Sequence, residues 1–197
     1  LPLEVDGWRA AGRPDLRWVS WLHPNGASQA NALLLGGYGP NTPGRIGYQI
    51  GDEPHSLSEL QDIDRGLGAV RAADPDALLI VNFTYQAPDI SAQLDYFVTT
   101  MDADVVSYDD YRPSARSYEN LARFRQAGLL AGKPYWRYLY SFASSRGAPD
   151  VSDMRWNAFS GLAYGYTGHT WFLYNADPVH GLDPVLFASA GSLAAPT

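Results

Sequence analysis

The sequence predicts an α/β fold, and three observations carry this prediction. Short runs of β-branched, apolar and aromatic residues recur roughly thirty residues apart, a spacing that suits strand–helix units. The segments between these runs carry apolar residues at helical spacing. Two of the runs, at 77–83 and 169–174, are almost continuously apolar or aromatic, as strands covered on both faces are. Alternation of strands and helices in this order predicts a parallel sheet with right-handed crossovers.

The runs predict six strands. They are Leu16–Leu22, Ile46–Ile50, Leu78–Phe83, Val105–Tyr108, Tyr135–Phe142 and His169–Tyr174. Between the second and third strands, Ser56 and Glu59 form a capping box that should begin a helix, and the helix should end at Asp74. Apolar stripes predict three further helices, of which the second stops at Gly132 and the third is capped by Ser152.

Polar and aromatic residues follow the ends of most predicted strands, and this favours a TIM barrel of the (β/α)8 type over a doubly wound sheet. A doubly wound sheet would normally carry a glycine-rich G-x-G-x-x-G turn after its first strand, and the sequence contains none. Because a closed barrel has eight strands, six predict an incomplete barrel whose first two strands are missing. We expect residues 1–197 to form one such partial domain. A missing N-terminal segment, or a second copy of the chain, would then complete the barrel.

Composition excludes several classes of function. The chain has 14 basic and 21 acidic residues and a net charge of −7, which argues against nucleic acid or an anionic membrane as a partner. It contains no cysteine, so disulfides and thiol nucleophiles are excluded. No H-x-H, H-E-x-x-H, P-loop or G-x-S-x-G motif is present, so we expect no metal and no cofactor.

The second predicted strand runs directly into two carboxylates, Asp52 and Glu53, and Pro54 then ends strand pairing. Neighbouring side chains at a strand end point to different sides, so one of the two should face the barrel mouth. A carboxyl group partly withdrawn from water there would have a raised pKa, which suits proton donation to a leaving oxygen. We favour Glu53 for this role over Asp52. The alternative is that either residue only caps the following helix.

The chain resembles the retaining glycoside hydrolases of the clan-A barrel type, and most closely poorly characterised bacterial relatives of the barrel β-galactosidases. The resemblance covers residues 44–175 and is carried by GYQIGDEP, VVSYDDY, GKPYWRYLYSF and RWNAFSGLAYGYTGHTWFLY. It implies that Glu53 is the acid/base residue at the end of the fourth barrel strand. It also implies a nucleophilic Glu at the end of the seventh strand, but the corresponding segment Pro134–Phe142 contains no carboxylate.

A glycosidase needs two carboxyl groups flanking the scissile bond, so a partner for Glu53 must come from elsewhere. Asp109 and Asp110, which follow the fourth predicted strand, are the best candidates. Tyr108 and Asp110 share one face of that strand and Asp109 takes the other. We slightly prefer Asp110. The alternative is that one of the aspartates caps the next helix or pairs with Arg112.

Aromatic and polar residues at or near strand ends should form a sugar-binding mouth, because apolar sugar faces stack on rings and polar groups fix their orientation. The candidate binding residues are Asp52, His23, Asn82, Tyr85, Tyr108, Tyr111, Arg137, Tyr140, Trp171 and Tyr174. A buried Arg137 would need a carboxylate partner, either Asp52 or an acidic sugar. The sequence therefore predicts a glycoside hydrolase with a carbohydrate substrate. The alternatives are a carbohydrate-binding barrel without catalysis and a fragment of a longer glycosidase.

Overall fold

Six parallel strands form the main sheet of the protein. The computed structural model describes residues 15, 17–22, 42–111, 113–143, 145, 147–172 and 183–184. Its strands are β1 (Trp18–Leu22), β2 (Arg45–Ile50), β3 (Leu78–Thr84), β4 (Val105–Asp109), β5 (Tyr135–Tyr140), β6 (Phe142–Ala143), β7 (Gly168–Phe172) and β8 (Asp183–Pro184). The sheet order is β1-β2-β3-β4-β5-β7, and every neighbouring pair is parallel. The fold is an incomplete α/β barrel, as the sequence predicted.

Helices cover one face of this sheet. They are α1 (Leu57–Ala73), α2 (Ile90–Thr99), α3 (Ser117–Ala131) and α4 (Val151–Ala163). The Ser56 hydroxyl caps α1 by accepting from the backbone amide of Glu59 at 3.3 Å. Gly132 ends α3, as predicted, and it adopts a left-handed conformation there. None of the described helices is long and apolar enough to cross a membrane.

Helix α4 begins at a different cap from the expected one. Asp150, not Ser152, is the N-cap residue, and its carboxylate accepts from the backbone amide of Asp153 at 2.9 Å. The Asp153 carboxylate in turn accepts from the backbone amide of Asp150 at 3.2 Å. An aspartate pair can form this reciprocal box as well as a hydroxyl residue can, and its two hydrogen bonds place the start of the helix at Val151.

The sheet has two different faces, and strand β4 shows which residues belong to each. Val106 and Tyr108 lie in the hydrophobic core between the sheet and the helices. Ser107 and Asp109 alternate with them and therefore point to the opposite face, the interior of the barrel. All five residues of β4 are buried. The helix layer thus protects one face, and the barrel interior holds the polar side chains of the other.

The predicted fifth strand is interrupted in the structure. Tyr135–Phe142 was expected to be continuous, but β5 ends at Tyr140, and Phe142–Ala143 pairs with Asp183–Pro184 as a separate antiparallel ribbon. Ser141 lies between the two segments, and its backbone amide still donates to the carbonyl of Phe172 at 2.9 Å. The chain therefore changes direction at the carboxyl end of β5, which places the ring of Phe142 near the barrel mouth.

Candidate active site

Two carboxyl groups meet at the carboxyl ends of the strands. Glu53 follows β2, and its backbone amide donates to the carbonyl of Asn82 on β3 at 3.0 Å. Asp109 is the last residue of β4. The side chains of Asp109 and Glu53 hydrogen-bond directly to each other. The structure thus brings Asp109, and not Asp110, to the predicted acid Glu53.

Asp109 is a carboxyl group that holds a proton strongly. Burial raises its pKa well above the ordinary value, and the negative charge of Glu53, the hydrogen bond to Glu53 and the charge of Asp52 raise it further. The hydrogen bond from Asn82 acts in the opposite direction but does not prevail. A protonated Asp109 donating to Glu53 is what two closely spaced carboxyl groups favour, because they do not both ionise readily.

Asn82 joins a third carboxylate to this pair. Its Nδ2 donates to Oδ1 of Asp52 at 2.8 Å and to Oδ1 of Asp109 at 3.2 Å. Asn82 is buried in the middle of β3, between the strands that supply the two aspartates. One amide group therefore spans and orients both carboxylates.

Gln49 and Tyr138, which sequence reasoning missed, extend the network across the barrel interior. The Tyr138 hydroxyl on β5 donates to Oε1 of Gln49 on β2 at 2.7 Å, and Nε2 of Gln49 lies 3.5 Å from Oδ1 of Asp52. Burial, followed by the charges of Asp52 and Asp109, raises the pKa of Tyr138, so its hydroxyl keeps its proton. Period-two alternation places Tyr138 on the same face as Tyr140, and this was the available signal.

Aromatic rings form a wall beside the carboxyl groups. The ring of Tyr111 lies 5.2 Å from that of Phe142 and 6.1 Å from those of Tyr140 and Phe172. Burial, and then the charge of Asp109, raises the pKa of Tyr111, which places this tyrosine next to the carboxyl cluster. The hydroxyl of Tyr140 donates to the backbone carbonyl of Gly147 at 3.0 Å, so this residue supports the wall.

Two of the predicted site residues lie on the helix side of β4. The ring of Tyr108 stacks on that of Phe124 in α3, with centroids 4.1 Å apart. The carboxylate of Asp110 accepts from Nδ2 of Asn120, also in α3, at 3.0 Å. The preference for Asp110 as the second carboxylate therefore gives way to Asp109, because the phase of the strand turns Asp110 to the helix layer.

Arg137 also points away from the barrel interior. It is completely buried, and its guanidinium donates to the carbonyls of Asn157 and Asp110 and to the hydroxyl of Ser160, at 3.1, 2.6 and 3.0 Å. The group also lies 4.9 Å from the ring of Trp156. The prediction that Arg137 contacts Asp52 or an acidic sugar is therefore wrong, because its guanidinium is directed to α4 and to the backbone after β4. Arg137 fastens α4 to β4 and β5.

The remaining candidates are more scattered. Tyr85 packs against the core between sheet and helices, and its hydroxyl accepts from Gln86 Nε2 at 3.3 Å. Trp171 is 38% exposed and alternates away from Phe172, so it lies on the helix-side face of β7 and not among the rings of the mouth. His23 and Tyr174 lie outside the described residues. Within the described ranges, no group of three or more His, Asp or Glu residues is arranged to hold a metal ion.

Comparison with known proteins supports the fold and leaves the family open. No family model and no curated protein matches the chain. A crystal structure from Bacteroides thetaiotaomicron VPI-5482, of a protein assigned as an alpha-L-fucosidase, is similar with a TM-score of 0.52 and 12% identity over 73% of this chain and 51% of that one. The two chains share the α/β-barrel type of fold. An endo-beta-1,4-mannanase from Thermotoga petrophila gives a TM-score of 0.49 and 11% identity, over 71% of this chain and 37% of that one.

The chain spans about half the length of the first of these structures and a smaller share of the second. At this level of identity the likeness concerns the fold alone. The closer resemblance to barrel β-galactosidase relatives therefore remains a prediction from the sequence.

Proposed function

We propose that the protein hydrolyses O-glycosidic bonds with Asp109 and Glu53 as its two carboxyl groups. The observation that supports this most strongly is their direct hydrogen bond at the mouth of the barrel, next to the aromatic wall. Glycosidases need one carboxyl group that holds a proton and a second that acts as nucleophile or base. A site with an acidic pair and flanking rings matches this requirement.

The roles we propose reverse those expected from the sequence. Asp109 keeps its proton because it is buried beside negative charges, and it would deliver this proton to the leaving oxygen. Glu53 would act as the nucleophile, or as the base that activates a water molecule. Hydrolysis then adds water across the bond: the proton of Asp109 goes to the leaving alcohol and the hydroxyl of the water to the sugar carbon. The other proton of the water goes to Glu53 when Glu53 is the base, or back to Asp109 when Glu53 is the nucleophile.

Substrate must separate the two carboxyl groups before this chemistry can occur. Retaining glycosidases place them about 5–5.5 Å apart and inverting ones about 6.5–9.5 Å apart, both longer than a direct hydrogen bond between carboxyl groups. In the proposed mechanism the glycosidic oxygen takes the place of Glu53 as the acceptor of the Asp109 proton. Glu53 moves aside, and how far it moves determines the stereochemistry of the product.

Aryl glycosides provide the test, with an α-L-fucoside and a β-D-galactoside as the first probes. Glu53→Gln and Asp109→Asn should each lower kcat by about 10²–10⁴-fold, the usual share of acid–base catalysis. Asp110→Asn is the comparison variant, and it should keep most of the activity because its carboxyl group contacts α3. Unchanged turnover in Asp109→Asn would refute the assignment of the acid. Equal losses in Asp109→Asn and Asp110→Asn would point to a structural effect.

A second function, carbohydrate binding without hydrolysis, is favoured by a different observation. The interior face of β5 presents Trp136, Tyr138 and Tyr140 but no carboxylate. Calorimetry with intact oligosaccharides, followed by chromatography after a long incubation, separates the two functions. Binding without any product would support this second function, and product that disappears in Glu53→Gln would reject it.

A further inference from the structure

A hydrogen-bonded chain of side chains crosses the interior of the barrel from β5 to β4. It starts at Tyr138, passes through Gln49 to Asp52, and continues through Asn82 to Asp109. Tyr138 and Gln49 are 89 positions apart in sequence. Their strands, β5 and β2, are not neighbours in the sheet, so the link crosses the barrel interior. Within the described part of the chain, the side chains of Tyr138 and Gln49 make no hydrogen bond to Glu53 or Asp109.

The chemistry of the chain fixes the direction of its hydrogen bonds. The Tyr138 hydroxyl donates to Gln49, so Gln49 must present its carbonyl oxygen to β5 and its amide nitrogen to Asp52. The nitrogen lies 3.5 Å from the Asp52 carboxylate and stabilises its negative charge. Without the tyrosine hydroxyl, the Gln49 oxygen loses its donor, and the long contact between the amide nitrogen and Asp52 alone would have to hold the amide in place.

The charge of Asp52 matters because it acts on Asp109. It raises the pKa of Asp109, in addition to burial and the effect of Glu53. The titratable groups around Asp109 are Glu53 and Asp52 from the end of β2, Tyr111 after β4, and Tyr138 from β5. The partial positive charge of a donor directed at Asp52 offsets part of the negative charge of that carboxylate. The donor therefore weakens one of the repulsions that keep the Asp109 proton in place.

We propose that Tyr138 and Gln49 are positioning residues that keep Asp52 in a donor-stabilised state and so leave Asp109 able to release its proton. This deepens the proposed function, since a general acid works best when its proton affinity is matched to the working pH. It also gives β5, which lacks the carboxylate expected from the resemblance, a part in the site. That part acts through Asp52 and Asn82 and not through direct attack on a sugar.

Carbon-13 NMR of aspartate carboxyl groups tests the proposal in the intact chain, with Asp109→Asn identifying the resonance. In Tyr138→Phe and in Gln49→Leu, the titration midpoint of Asp109 should rise by about half a pH unit or more. The double variant should rise no further than Gln49→Leu, because Tyr138 acts on Asp52 only through the Gln49 amide. Tyr135→Phe is the matched control. Its hydroxyl donates to the Tyr164 carbonyl on the helix side at 3.2 Å, so the midpoint should not move.

Two outcomes would overturn the proposal. One is an unchanged Asp109 midpoint in folded Tyr138→Phe and Gln49→Leu, and the other is an equal shift in the Tyr135→Phe control. If Tyr138→Phe does not fold, Gln49→Leu alone decides. The result is independent of turnover. A shifted midpoint in a protein that hydrolyses no glycoside would refute the proposed function and leave the positioning role standing.

Discussion

The backbone of Glu53 is left-handed, with a φ of 46°, and among the described residues other than glycine it is alone in this. A side chain in this region costs about 1–2 kcal/mol, because Cβ crowds the carbonyl oxygen. Such strain persists where the surroundings impose it, and it is concentrated at functional sites. Here the backbone amide of Glu53 is held by the Asn82 carbonyl, which directs its side chain to Asp109.

This strain predicts an unusual order of stability for two substitutions. Glu53→Gly should be more stable than Glu53→Ala by about 1 kcal/mol in the free energy of unfolding, since glycine adopts positive φ without a Cβ clash. Urea denaturation measures the difference. At Glu59, in the first turn of α1, the same pair should show the reverse order, because alanine is the better helix former by about 1 kcal/mol. An Ala variant at 53 as stable as the Gly variant would show that no strain is stored there.

Asp109 gives a second prediction at the scale of one residue, namely that its removal stabilises the fold at high pH. Its pKa is near 3.9 in an unfolded chain and well above this in the folded one. Between these values the native state binds more protons than the unfolded state, so the free energy of unfolding falls as pH rises. Asp109→Asn should therefore have a higher Tm than the wild type at pH 8 and a similar one at pH 4. A difference independent of pH would contradict a raised pKa.

Sequence reasoning identified the carboxyl groups that follow the strand ends, but it slightly preferred Asp110, which the structure turns to α3. Strand ends followed by acidic residues are visible in the sequence, and they identified Glu53, Asp109 and Asp110. The choice depends on which face of β4 points to the barrel interior. Ser107 and Asp109 alternate with Val106 and Tyr108 in this strand, but all five residues are buried, so the sequence alone did not show which of the two sets faces the helices. The stacking of Tyr108 on Phe124 and the hydrogen bond from Asn120 to Asp110 show that this face of the strand meets the helices.

At the scale of elements, Arg137 explains how α4 is held on the sheet. This helix buries little of its own, with only Asn157 and Gly161 fully buried, while Phe159 and Leu162 remain exposed. A guanidinium that donates to two carbonyls and one hydroxyl replaces much of the missing apolar contact. Sequence reasoning placed this residue at the site because a buried arginine was expected to need a carboxylate partner, either Asp52 or an acidic sugar. Its partners are mostly backbone atoms, which no sequence pattern identifies.

Arg137→Met should therefore affect stability and not the carboxyl pair. Methionine keeps much of the apolar stem, but it leaves buried acceptors without donors, at a cost of about 1–3 kcal/mol for each unsatisfied group. We expect a loss of about 3 kcal/mol or more in the free energy of unfolding, with the Asp109 midpoint unchanged. Arg123→Met, at an exposed position of α3, is the control and should change stability by about 0.5 kcal/mol or less. A shifted Asp109 midpoint in folded Arg137→Met would return this residue to the site.

At the scale of the whole molecule, the sequence predicted the order of the strands and helices that the structure describes. Each of the six predicted strands overlaps one strand of the sheet. Buried parallel strands must be apolar on both faces, which produces the short apolar runs from which the order was read. The sequence did not show how the outermost strands of the sheet are paired, because that pairing is made by backbone groups, which every sequence carries.

The sheet order predicts a gradient of local stability across the molecule. β3 and β4 lie in its middle and are almost entirely buried, whereas β1 and β7 are its outermost described strands and β7 is half-exposed to exposed along its length. Amides with few buried neighbours open more readily than those of a core strand. Hydrogen exchange followed by mass spectrometry should therefore show peptides of β7 exchanging at least about tenfold faster than those of β4. Equal protection of β7 and β4 would mean that the outer edge of β7 is paired in solution, and the gradient drawn from the six strands would then be wrong.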